Sequence, residues 1–239
     1  MNAVQELHDR LAPLGTTERA THEKKYLKSD LDFLGVPVPL IRKEVRRWSK
    51  EQPTLTRAQL LATVRGLWRT RVHELRSFGA FLLTSRLDLL EVADFALLEN
   101  LLRRAKTWAH VDALAVHGAG PLVEQHPAAG SEVLDRWIAD DDFWIRRSAI
   151  LALLLPLRRG GGDWPRFVRY GDRLLDEKEF FLRKAIGWVA RETSKERPEI
   201  VVDWVRRHLD RMSGVTFREA VRRLPDGVRE ELTAAYKGR

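Results

Sequence analysis

The chain has 239 residues, 44% of them hydrophobic and 32% charged, enough for a full hydrophobic core and too apolar for a disordered tail. Lys and Arg total 42 against 34 Asp and Glu; the formal charge of +8, carried mostly by arginine, favours a polyanionic partner, either nucleic acid or an anionic membrane surface. With no cysteine, disulfides, thiolate nucleophiles, iron–sulfur clusters and cysteine zinc sites are excluded.

In chain order, the opening stretch from Met1 to Asp9 lacks the charged and apolar regions of a signal peptide, so a cytoplasmic protein is expected. No later run approaches the roughly 20 apolar residues that span a bilayer, so no membrane partner is expected. Gly35-Val36-Pro37-Val38-Pro39 and Gln52-Pro53 read as breaks. Leu60, Leu61, Val64 and Leu67 follow helical spacing, which Phe78, Phe81 and Leu82 resume after a short break. Val92, Phe95, Leu98, Leu101 and Leu102 mark another helix, and Val201, Val202, Val205 and Leu209 a late one. Gly120-Pro121, Gly160-Gly161-Gly162, Arg197-Pro198 and Pro225-Asp226-Gly227 are further breaks. Strand alternation is absent. Many short helices joined by short turns predict an all-α protein, either a solenoid or a bundle.

An internal repeat favours the solenoid. Phe143-Trp144-Ile145-Arg146-Arg147-Ser148-Ala149-Ile150 resembles Phe180-Phe181-Leu182-Arg183-Lys184-Ala185-Ile186-Gly187, with a weaker copy at Phe217-Arg218-Glu219-Ala220-Val221. Steps of about 35 residues lead back to His110-Val111-Asp112 and Leu75-Arg76-Ser77, a spacing typical of paired-helix, HEAT-like units. The expectation is one HEAT-like repeat domain over residues 1–239.

Equivalent positions of stacked repeats align as a strip, here Ser77, Asp112, Arg147, Lys184 and Glu219, beside a second row of Arg76, Arg146, Arg183 and Arg218 that is broken by His110. Arg76, Arg146, Arg183, Lys184 and Arg218 are therefore candidate phosphate contacts, with a merely solvated basic face as the alternative. Asp112 is the anomaly, because a carboxylate weakens phosphate binding. Two reasons stand: a salt bridge that orients Arg147, or electrostatic stabilisation of a cationic reacting species. Trp108, one helical turn before Asp112, and Trp188, one turn after Lys184, add indole faces that attract cations and pack on sugars. Of the 8 tryptophans, Trp48, Trp68, Trp137 and Trp204 follow the apolar periodicity and are expected in the core; Trp144 and Trp164 stay open. No phosphate-binding loop, metal-binding histidine spacing or nucleophile elbow occurs, so neither metal nor cofactor is expected.

Tyr26-Leu27-Lys28, Phe33-Leu34-Gly35-Val36-Pro37, Arg42, Thr107-Trp108, Val111-Asp112, the segment Trp144–Ile150 and above all Lys178–Glu192 resemble the AlkD-type DNA alkylation-repair glycosylases, in the same order from about Tyr26 to Ala220. The resemblance implies a HEAT-like solenoid cupping duplex DNA in a concave basic groove. It also implies metal-free excision of positively charged N3- or N7-alkylated purines without base flipping, with bulky adducts tolerated. Trp108, Trp188, Asp112 and Arg147 are its implied active-site residues. A groove that wraps DNA works as a monomer. Thr107, Ala109 and His110 depart from the family's pattern, which implies a wider site or an altered choice of lesion. Two rivals come from other classes: a non-catalytic binder of damaged or branched DNA, and a scaffold holding an acidic peptide.

Overall fold

Side-chain caps set many of the helix starts in the computed structural model, which describes residues 3–239. Met1 and Asn2, part of the stretch read for a targeting signal, lie outside the described residues. The fold is an all-α helical repeat, as expected; among the described residues β-type pairing is confined to an isolated bridge between Asp32 and Val72. No described helix is long and apolar enough to cross a membrane. The chain divides into two compact units, Met1–Leu122 and Val123–Arg239.

Unit 1 contains α1 (Ala3–Leu11), α2 (Thr17–Leu27), α3 (Val38–Glu51), α4 (Arg57–Arg69), α5 (His73–Ser85), α6 (Phe95–Arg103) and α7 (Trp108–Leu114). Thr16 caps α2 by accepting the Arg19 N–H, and Thr56 with Gln59 forms a capping box on α4. The apolar stripe of α4 (Leu60, Leu61, Val64, Leu67, Trp68) is buried against α5, which also packs on α3 and α7. Between α2 and α3 the chain turns at Gly35, whose φ of 76° is left-handed and whose missing Cβ would lie 2.2 Å from the Thr16 carbonyl oxygen.

The break expected at Gly120-Pro121 does not occur. From α7 the chain passes through a π-helical turn, Ala115–Ala119, directly into α8 (Gly120–Gln125). The Gly120 N–H bonds back to the Ala115 carbonyl. This wider turn admits Pro121, which brings no N–H of its own and so needs no acceptor from the turn before it.

Unit 2 contains α9 (Pro127–Trp137), α10 (Phe143–Leu151), α11 (Leu154–Arg158), α12 (Trp164–Leu174), α13 (Phe180–Thr193), α14 (Pro198–Arg207), α15 (Gly214–Ala220) and α16 (Asp226–Lys237). Asp142, Asp163, Glu179 and Ser213 cap α10, α12, α13 and α15. As in unit 1, the later helix of one pair packs on the later helix of the next, α10 on α13 and α13 on α15. Gly187 permits the last approach, since a Cβ there would meet the Glu219 Cβ at 2.5 Å. Trp48, Trp68, Trp137 and Trp204 are all buried, as their periodicity predicts. Truncating a core tryptophan costs about 3–5 kcal/mol, so these four anchor the stack.

Candidate active site

Helix α7 carries the two central candidates. Thr107 caps it, its hydroxyl accepting the Ala109 N–H at 3.3 Å, and Lys106 just before it adopts a left-handed φ of 59°. Trp108 and Asp112 then lie one turn apart on the same side, both partly exposed. Tyr26, at the end of α2 and 64% exposed, sets its ring edge-on to Trp108, 5.9 Å between centroids at 83°. Tyr26 is legible as part of a motif, but nothing in the chain's order links it to Trp108.

The opposite side of α7 is anchored in the core. His110 is buried, with Nδ1 3.2 Å from the Ala105 carbonyl and Nε2 3.0 Å from Ser77 Oγ and 3.2 Å from the His73 carbonyl. Burial, partly opposed by those carbonyls, pushes its pKa down to about 4; burial and the neighbouring His110 push His73 down to about 2. Both rings are therefore neutral. Thr107 is equally buried. Two of the three departures from the family pattern thus line the core and the helix cap, and they act on the site only through the placement of α7.

Unit 2 holds the remaining candidates. Arg147 on α10 is 3% exposed, donates to the Phe181 carbonyl and has its guanidinium 5.9 Å from the centre of the Phe181 ring. Trp144, left open from sequence, joins Phe143 at 4.4 Å and Phe181 at 4.9 Å in a partly exposed aromatic cluster at the heads of α10 and α13. Lys184 and the partly exposed Trp188 are one turn apart on α13. Glu219 receives both Lys184 and Arg191 as ion-pair partners. The strip positions 184 and 219 are thus neighbours, as the repeat register requires, and their charges are opposed.

Three arginines of the second row follow one rule. Arg76 Nε donates to the Thr70 carbonyl at 2.9 Å, an Arg146 terminal nitrogen to Asp140 at 2.7 Å, and Arg183 Nε to Glu177 at 2.6 Å, in each case six residues back. Each guanidinium folds over the turn that leads into its own helix. Arg76 also binds the Arg104 carbonyl at 2.8 Å, and Arg146 the Asp141 carbonyl at 2.8 Å and the Glu177 carboxylate at 3.1 Å. This brace explains why arginine recurs at repeat spacing. Arg218 differs: it is exposed and makes no hydrogen bond or ion pair with a described residue.

Paired helices stacked in register, with indole and carboxylate together on one helix face, define the class as a helical-repeat protein. The chain belongs to the DNA alkylation repair enzyme family, whose pattern matches residues 7–224, and its role is in DNA repair. A predicted DNA alkylation repair enzyme from Enterococcus faecalis has a similar structure, with a TM-score of 0.80 at 21% identity over 89% of this chain and 97% of that one; this likeness shows the shared fold. No curated protein sequence matches the chain.

Proposed function

We propose that the protein is a monofunctional DNA glycosylase that hydrolyses the N-glycosidic bond of positively charged N3- or N7-alkylated purines in duplex DNA. The observation that carries this reading is the shared face of Trp108 and Asp112 on α7, partly exposed and braced by Tyr26. Family membership supports DNA as the partner.

The chemistry follows from the charge of the lesion. An alkylated purine that already carries a positive charge leaves without protonation: the C1′–N9 bond breaks, its electron pair neutralises the purine, and positive charge develops on the deoxyribose. The Asp112 carboxylate stabilises that oxocarbenium-like sugar. Water then adds to C1′ and its proton passes to Asp112 or to solvent. Trp108 presents its indole to the sugar through cation–π and CH–π contact, and Trp188 is assigned the same task. Arg147 is assigned to a phosphate beside the lesion. Recognition through the sugar leaves the base in the stack, in contrast to enzymes that extrude it, and this permits bulky adducts. Of the basic row, Arg218 has its donors available to DNA; Arg76, Arg146, Arg183 and Lys184 would reach phosphate with donors their internal bonds leave over.

Incubation of the protein with methylated and with bulky-alkylated duplex DNA, followed by chromatography of free bases, tests the proposal. Release of free alkylpurine is expected from both substrates. Tight binding of damaged duplex with no release from either would establish the non-catalytic binder instead.

A further inference from the structure

We propose that a second DNA contact lies in unit 1, away from the Trp108–Asp112 face: a cleft between α4 and α6 that holds a backbone phosphate of the duplex. The proposal rests on the DNA-binding reading above and extends it to a site that the sequence repeat does not reveal.

The cleft, about 390 Å³, is lined by Arg65, Arg69, Ala96, Leu97, Asn100 and Arg104. Arg65 and Arg69 are four residues apart on α4 and so project from one side of it. Asn100 faces them from α6, and Arg104 is the residue that follows α6. Three guanidiniums and an amide meet around a floor of Leu97 and Ala96, and no carboxylate lines the space.

Several arginines elsewhere in the unit are neutralised: Arg10 by Glu6 and Glu51, Arg57 by Asp94, Arg103 by Glu99. Arg65 and Arg69 make no hydrogen bond or ion pair with a described residue. Two exposed cations without partners, held on the same helix as each other and opposite a third, form an electrostatic trap for an anion. The partial negative charge at the carboxyl ends of α4 and α6 opposes an anion there, so the guanidiniums must supply the attraction.

Arg104 is already in position. It donates to the Trp68 carbonyl at 3.1 Å, and its own carbonyl is held by Arg76 at 2.8 Å. After burial, the positive charge of Arg104 lowers the Arg76 pKa, with Asp30 opposing and Arg71 adding to the shift. The chain runs on from Arg104 through Lys106 to Thr107, the cap of the helix that carries Trp108 and Asp112. A phosphate bound here would therefore sit at one end of the segment that delivers the candidate catalytic helix.

The chemistry of the lining selects the ligand. No aromatic side chain is present to stack a base, and the cleft is walled by exposed residues, unlike the enclosed sites that hold small molecules. Forked guanidiniums with an apolar floor suit a phosphodiester that enters as part of a longer strand.

The test is binding of undamaged duplex DNA as a function of salt, for the wild type and the R65A/R69A double variant. Two duplexes are used, one of a single helical turn and one three turns long. On the long duplex the slope of log K against log salt should fall by about 1 in the variant, since the cleft holds one phosphate and each phosphate neutralised contributes roughly 0.9. The R65K/R69K variant should restore the slope, because the effect is one of charge. Melting temperatures of all three proteins should agree, as neither side chain supports the fold. An unchanged slope in R65A/R69A on both duplexes would overturn this site while leaving the DNA-binding reading intact. Failure of the wild type to bind either duplex would overturn both. Tighter binding of inorganic phosphate or a mononucleotide than of DNA would reassign the cleft and overturn the proposal.

Discussion

The imidazole of His110 lies stacked on that of His73, 4.5 Å between centroids at 24°, and Phe33 covers the other face of His73 at 4.6 Å. Trp68 closes the side, 5.4 Å from His110. This column ties three parts of unit 1 together: the loop before α3, the head of α5, and α7 with its Trp108 and Asp112. The candidate site is thus held from behind by neutral, desolvated rings.

That column makes the protein acid-sensitive in a defined window. Both histidines have folded pKa values below the ordinary value near 6.5, about 4 for His110 and about 2 for His73. The unfolded chain therefore takes up protons that the folded one refuses, and stability is full above about pH 6.5 and falls as the pH drops toward the folded values. Each histidine contributes up to about 1.4 kcal/mol per pH unit in that range. Urea unfolding between pH 7 and pH 4.5 should show this slope, and the His110→Gln variant should lose one proton's share of it. Equal slopes in both proteins would contradict the assignment.

Glu74 does for the loop what the histidines do for the helix. Its fully buried carboxylate accepts the N–H groups of Leu34 at 2.9 Å, Gly35 at 2.7 Å and Val36 at 3.3 Å. Burial raises its pKa against those bonds. Glu74→Ala leaves three donors unanswered and should cost roughly 3–5 kcal/mol. Hydrogen exchange should show lost protection at residues 34–36 before any other change.

Arginines of the second row should separate by role. Arg183→Ala removes a brace over the turn before α13 and should lower the melting temperature. The exposed Arg218, in contrast, should leave the melting temperature unchanged when replaced by Ala and reduce the salt dependence of DNA binding by about one unit of slope. Thermal unfolding alongside a salt titration of each variant checks both halves of the statement.

Tyr26 braces Trp108 from a position so exposed that it adds little to the core. Tyr26→Ala should slow base release by up to about tenfold, the equivalent of the 0.5–1.5 kcal/mol an aromatic pair supplies, with little loss of stability. Tyr26→Phe keeps the ring and should restore the rate. A large fall in melting temperature for Tyr26→Ala would show that the residue is structural instead.

Much of this was legible in the sequence because helices write their pattern locally. The apolar spacing of Leu60, Val64 and Leu67 and the repeat that makes Lys184 and Glu219 neighbours depend on residues close together or on regular spacing. What stayed hidden depends on partners distant in sequence. Charge counting does not reveal that Arg183 spends a donor on the Glu177 carbonyl, nor that Arg191 joins Lys184 on Glu219. His110 reads as a polar substitution near the site, yet it points into the core. Gly120-Pro121 reads as a break because both residues disfavour helix, and the π-turn that accommodates them leaves no local signature. The Arg65–Arg69–Arg104 cleft brings α4 and α6 together outside the repeat strip, so the strip does not show it.

The most direct test of the catalytic reading is single-turnover release of N7-methylguanine from methylated duplex by the wild type and Asp112→Asn. Replacing a carboxylate by its isosteric amide removes the charge and keeps the shape, so duplex binding should be retained while the rate falls by about 10²-fold or more. An undiminished rate in Asp112→Asn, with binding intact, would contradict the account.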